Sequence, residues 1–233
     1  MTVQPAAWAS RRKRSFDVVL AATSGRITLS ATTRSSSRRT TQPPARSPLP
    51  RRFWRVVVVL VGFAVLNFPD ALLLLRVMDL GFSTTQVVLA YVAFNLVYTL
   101  GAYPAGVLAD RWPPAVVYSV GLVAFAVGYL GLGLVDGGPA VYVLIAVYGL
   151  FPAFTDGVGK AWISGLVPSA HRGRAQGVFQ GLSSGALLGA GLWAGLLWTT
   201  GPGDGVVPLI VSGTIALVAA GVLAASRHRL AAD

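Results

Sequence analysis

Asp156 and Lys160 stand four residues apart in the apolar segment that opens the stretch YGLFPAFTDGVGKAWISGLVPSAHRGRAQGVFQ, from Tyr148 to Gln180, which breaks at Pro168 and turns through His171, Arg172 and Arg174. A helix puts them on one face, a turn apart. If that helix crosses a bilayer, each charge costs on the order of 2.5–3.5 kcal/mol unless it is paired or hydrated. Charges kept at such depth usually face a water-filled cavity, where they bind a polar solute or relay a proton. Asp70 is a third candidate, after the interruption Asn67-Phe68-Pro69. The blander alternatives are a static Asp156–Lys160 pair and an Asp70 that only caps the break at Pro69. Asn67, Asn95, Thr155 and Gln180 are expected to line the same cavity. An ordinary interhelical hydrogen bond of about 0.6 kcal/mol would explain each of them equally well.

Other chemistries find little support. The chain has no cysteine, two histidines and no glutamate, so no metal site or cofactor is expected. Ser183-Ser184-Gly185 superficially resembles the serine of an intramembrane protease, but no apolar segment holds a histidine to activate it. No catalytic residue is therefore assigned, and no phosphate-binding loop is present. A formal charge of +11 invites a nucleic-acid reading, which the distribution of charge opposes. Twelve of the nineteen Lys and Arg residues precede Val56, and the rest of the chain carries seven bases and seven acids.

The elements that must position these residues are membrane helices. Hydrophobic residues make up 54% of the chain, charged ones 12%, and the mean hydropathy is +0.65, far from a soluble composition. Residues 1–50 are rich in Arg, Ser, Thr and Pro and are expected to be disordered. A twin-arginine signal or a transit peptide fits them poorly, and a misplaced start ahead of the native protein fits better. Residues 51–229 form one apolar domain with six expected spans at about 54–77, 86–108, 115–135, 140–167, 175–199 and 206–225. The first is about 35 Å long, and Arg76 near its far end is placed to snorkel. Small residues at Gly121, Ala124 and Gly128, and again at Gly177, Gly181, Gly185 and Gly189, predict close-packing helix faces. Trp54, Trp112, Trp162 and Trp198 fall near span ends, as interfacial belt residues do.

Basic residues sort to alternate connections. Arg51, Arg52 and Arg55, then Arg111, then Arg172 and Arg174, then Arg227 and Arg229 fall on one side of six alternating spans; Asp79, Asp136 and Asp204 fall on the other. The positive-inside rule makes the basic side cytoplasmic and puts both termini there. The first and fourth segments share a pattern, Asn67-Phe68-Pro69-Asp70 against Phe151-Pro152 and Asp156. The second and fifth align at an offset of 85, pairing Phe94 with Phe179 and Gly106 with Gly191. Three spans repeated by three must be inverted in the membrane, because three is odd. The expected fold is thus an all-α membrane protein, a 3+3 inverted repeat of six helices behind a disordered basic tail.

Gly106-Val107-Leu108-Ala109-Asp110-Arg111 resembles the Gly-x-Leu-Ala-Asp-Arg loop signature of the major facilitator superfamily. The run Leu166-Val167-Pro168, Arg172-Gly173-Arg174-Ala175 and Gly177 resembles that family's turn between the fourth and fifth helices of a half. Together with the repeat, the chain from about Arg52 to Ser226 resembles the C-terminal six-helix half of such a transporter. The resemblance implies solute transport by alternating access, with protons as a possible coupling ion, in a plasma (bacterial inner) membrane. It makes Gly106, Asp110, Arg111, Arg172, Gly173 and Arg174 candidates for a conformational latch. The signature departs from the family at Trp112-Pro113-Pro114, where two further basic residues are usual. It also implies a partner, an N-terminal six-helix half that is either lost from the reading or supplied separately. The alternative is a non-transporting six-span scaffold.

Overall fold

A computed structural model describes residues 48–225, which form helices joined by turns and short irregular stretches and contain no strand. The expected disordered tail (to residue 47), Arg227 and Arg229 lie outside these residues. Leu49, expected in the tail, is buried against the helices. The helices are α1 (Arg51–Ala64), α2 (Asp70–Asp79), α3 (Thr84–Ala109), α4 (Pro114–Leu134), α5 (Ala140–Tyr148), α6 (Leu150–Gly165), α7 (Arg172–Leu196) and α8 (Val206–Ala225). A 3-10 turn, Ser169–His171, precedes α7.

Local chemistry explains the boundaries. Pro69 biases Phe68 away from helical geometry and has no N–H to offer, so the first expected span becomes two helices, α1 and α2. Pro114 starts α4, where a missing N–H costs nothing. Ser83 caps α3 with a capping box, its hydroxyl accepting from Gln86 N at 3.4 Å while Gln86 Oε1 accepts from Ser83 N at 2.8 Å. Ser83→Ala should lower the stability of the purified chain by about 1 kcal/mol, read as a lower melting temperature in detergent.

Among the described residues, four helical stretches are long and apolar enough to cross a membrane: Thr84–Ala109, Pro114–Leu134, Ala140–Gly165 (α5 and α6 together) and Val206–Ala225. α1 and α2 are each too short, with 14 and 10 residues. α7 has the length, at 25 residues, but its Gln, Ser and Gly content makes it less apolar.

α4 forms the centre. A Cβ at Gly121 would lie 2.7 Å from Thr155 Cγ2, and one at Gly128 2.8 Å from Tyr148 Cβ, so α4 meets α5 and α6 at close range. Gly133 meets Ile210 and Gly213 meets Leu130 in the same way, which seats α8. The stripe on α7 behaves otherwise. A Cβ at Gly177, Gly181, Gly185 or Gly189 would have nothing within 4 Å. Among the described residues that face closes on no helix, contrary to expectation, because α7 turns it outward and buries Ala175, Phe179, Ala190 and Ala194 instead.

These contacts also sort the helix ends. Tyr118 lies by Gly159, four residues into α4 and near the end of α6, and Gln176 reaches Lys160 and Ser164. The starts of α1, α4 and α7 and the ends of α3, α6 and α8 thus share one end of the bundle, with Arg51, Arg111 and Arg172. Asp79, Asp136 and Asp204 gather at the opposite end, where their charges all act on Arg76.

Candidate functional site

A cavity of about 230 Å³ opens between α1, α6 and α7. Asn67, Thr155, Asp156, Lys160 and Gln180 all line it, together with Ser183 and Ser184. Leu60, Phe63, Phe151 and Phe179 supply apolar walls. α6 presents Asp156 and Lys160 on one exposed face, as their spacing requires. Its next-door Thr155 is buried, and its hydroxyl donates back to Phe151 O at 2.7 Å, which leaves it little to offer a ligand.

Asp156 accepts a hydrogen bond from Tyr98 Oη at 3.3 Å, a partner that the sequence did not single out. Tyr98 arrives from α3, which crosses α6 where Gly101 lets Ala153 approach. Lys160 acts on Asp156 through its charge, and its backbone carbonyl accepts from Gln176 Nε2 at 2.6 Å. Gln176 also donates to Ser164 Oγ at 2.8 Å and so ties the start of α7 to α6.

Asp70 and Asn95 stand apart from this cavity. Asp70 lines a second, much smaller one with Tyr91, Phe94 and Tyr148. Its Oδ1 accepts from Tyr148 Oη at 2.8 Å, and Asn67 Oδ1 lies 3.4 Å from the same hydroxyl. Asn67 therefore bridges the two regions from the break between α1 and α2. Tyr148→Phe would leave Asp70 without this donor, and the cost should be about 1–3 kcal/mol, read as a lower melting temperature in detergent. Asn95 turns its amide to Tyr91 O at 2.8 Å on its own helix.

The loop residues sit at the basic end. Asp110 follows the last residue of α3, its N–H bonded to Gly106 O at 3.1 Å, and Asp110 and Arg111 are exposed. Arg172 opens α7, and Arg172, Gly173 and Arg174 are exposed. Two expectations for other residues fail. Arg76 does not snorkel, being 8% exposed under the turn before α8. Trp198 is buried against Phe68 rather than placed in an interfacial belt, because α7 ends over the break between α1 and α2.

The arrangement suits reversible binding of a polar solute. It offers one anion, one cation, two amides and the hydroxyls of Tyr118, Ser183 and Ser184 within partly apolar walls. Among the described residues, no group of three or more His, Cys, Asp and Glu could hold a metal ion. The cavity has serines but no histidine in its lining.

Comparison with known proteins agrees with this picture. Residues 56–231 match the family described as Major Facilitator Superfamily. Over 179 residues the chain is 26% identical to an uncharacterized MFS-type transporter of Methanocaldococcus jannaschii, covering 72% of this chain. The chain spans less than half, 45%, of that relative's length. On the extent of the family match, the chain belongs to the Major Facilitator Superfamily.

Proposed function

We propose that this chain forms a six-span half of a secondary transporter that moves a small polar solute by alternating access. The observation that carries the reading is the cavity in which Asp156 and Lys160 face open space beside a broken helix. Discontinuous helices place unpaired backbone groups and charges near the membrane midplane, where transporters of this kind bind solute.

The two triplets α1–α4 and α5–α8 are read as the inverted repeat. Each opens with a helix broken around a proline, α1/α2 at Pro69 and α5/α6 at Gly149 before Pro152. α1 with α2 and α7 then complete six spans, and residues 51–229 make up the membrane domain. The basic end is the cytoplasmic one, with both termini on that side of a plasma membrane. A second six-span half covers the open glycine face of α7, whose lack of contacts among the described residues supports the assignment. Asp110 and Arg111, with Arg172, Gly173 and Arg174, serve as a latch between the halves. Asp156 and Lys160 bind the solute with Asn67 and Gln180, and Asp70, donated to by Tyr148, carries a coupling proton. Thr155 and Asn95, bonded within their own helices, have supporting roles.

The chain contains no cysteine, so single cysteines can report topology. Asp136→Cys and Arg172→Cys should react with a membrane-impermeant maleimide from opposite sides of sealed vesicles. Reaction from the same side would sink the six-span arrangement, and the transport reading with it. Vesicles carrying this chain and its second half should also accumulate a member of a panel of radiolabelled amino acids, sugars, organic acids and organic cations. A folded, correctly oriented pair that accumulates none of them would favour the scaffold reading.

A further inference from the structure

One side chain holds the far end of α2. Arg76 occupies the last turn of that helix, buried. Its Nε donates to Leu132 O at 3.1 Å and its Nη1 to Asp204 O at 2.9 Å. Leu132 lies in the last turn of α4, where helical carbonyls lack partners within the helix and a cation is favoured. Asp204 belongs to the turn between α7 and α8. A guanidinium fork can serve two carbonyls that face it from different elements, whereas an ammonium is a single point of charge. Arg76 thus joins α2 to α4 and to the turn before α8.

Nearby contacts tighten the same junction. Trp198 Nε1 donates to Asp79 Oδ2 at 3.3 Å, and Trp198 O accepts from Gly205 N at 2.6 Å. Gly205 has φ 76°, and a Cβ there would lie 2.7 Å from the Trp198 ring, so the turn closes directly on the indole. At its other end α2 is preceded by a non-helical stretch, residues 65–69. Phe68 of that stretch is fully buried, its ring 4.9 Å from Tyr129 and 6.4 Å from both Trp193 and Trp198. α2 is therefore a ten-residue lever between the cavity and the acidic end, jointed near Phe68 and clipped at Arg76.

We propose that Arg76 is the positioning residue of a gate: it holds α2 shut at the acidic end of the bundle, beyond Asn67, the residue of the break that lines the cavity. Release of its contacts to Leu132 O and Asp204 O lets α2 swing about residues 65–69 and opens the cavity to that side. The idea rests on the alternating-access reading above, and the test separates the two.

Ser183→Cys places a lone thiol in the cavity, and Asp136→Cys, in a second protein, places one at the acidic end. A membrane-impermeant maleimide is applied to whichever side labels Asp136→Cys, so orientation and gate stand or fall independently. From that side, Ser183→Cys should react at least tenfold faster with Arg76→Ala than with Arg76 present, and at an intermediate rate with Arg76→Lys. Trp198→Phe removes the indole donor to Asp79 but keeps an aromatic ring. It should raise the rate a fewfold, and it decides the matter if Arg76→Ala does not accumulate. Unchanged rates overturn the proposal. So does an equal rise from both sides, which is what a merely structural Arg76 would produce.

Discussion

Transport should fall to background when Asp156→Asn and Lys160→Ala are combined, with the fold intact. Both side chains are exposed to the cavity rather than packed in the core, so their loss removes no apolar burial. Asp156→Asn keeps an oxygen that can accept from Tyr98, whose hydroxyl lies 3.3 Å from the present carboxylate. What disappears is charge. A charged group's hydrogen bond contributes about 1.5–3 kcal/mol. Two of them lost from a bound polar solute correspond to roughly a hundredfold or more in kcat/KM. Stability should move by no more than about 0.5 kcal/mol, as for surface changes elsewhere. Initial uptake rates in vesicles, taken beside melting temperatures of the same preparations, separate the two effects. Full uptake by a stable double variant would remove the pair from solute binding and leave it the static role.

The sequence carried the cavity better than it carried the supports around it. Asn67, Thr155, Asp156, Lys160 and Gln180 meet because polar residues are rare in these segments and each costs free energy unless it faces water or a partner. The sorting of Arg and Asp to opposite ends was equally legible, since it depends only on connection order. Tyrosines were missed as partners. Tyr98 and Tyr148 look like ordinary apolar helix residues; the crossing of α3 over α6 brings the Tyr98 hydroxyl to Asp156, and the approach of the start of α2 to the end of α5 brings that of Tyr148 to Asp70. Arg76 was misread for a related reason. Its position near a span end suggested headgroups, but the turn before α8 folds over it. The glycines show the limit most plainly, because a four-residue stripe states that a helix has a narrow face and not what lies against it.

Gly149→Val should abolish assembly of the bundle, whereas Gly181→Ala should leave it intact or firmer. Gly149 sits between α5 and α6 with a helical φ of −57°, so its backbone conformation is open to any residue. Space is what it lacks. A Cβ there would lie 2.6 Å from Phe94 O, 3.0 Å from Ala146 O and 3.3 Å from Val97 Cβ. Two of those neighbours are backbone carbonyls, which cannot rotate away as a side chain can. Either α3 retreats from α5 and α6 or the helix pair bends, and both pull apart the stacked rings of Phe94 and Tyr148, now 5.3 Å apart. Overpacking typically costs about 1–3 kcal/mol, and contact with main chain puts this variant at or above the upper end. At Gly181 the same added carbon meets nothing within 4 Å. Replacing a mid-helix glycine by alanine should stabilise this chain by about 0.5–1 kcal/mol. Melting temperature and monodisperse yield in detergent read both variants. A Gly149→Val protein as stable as the parent would contradict the close approach of α3. A Gly181→Ala protein stabilised alone but impaired once the second half is present would locate that half on the glycine face of α7.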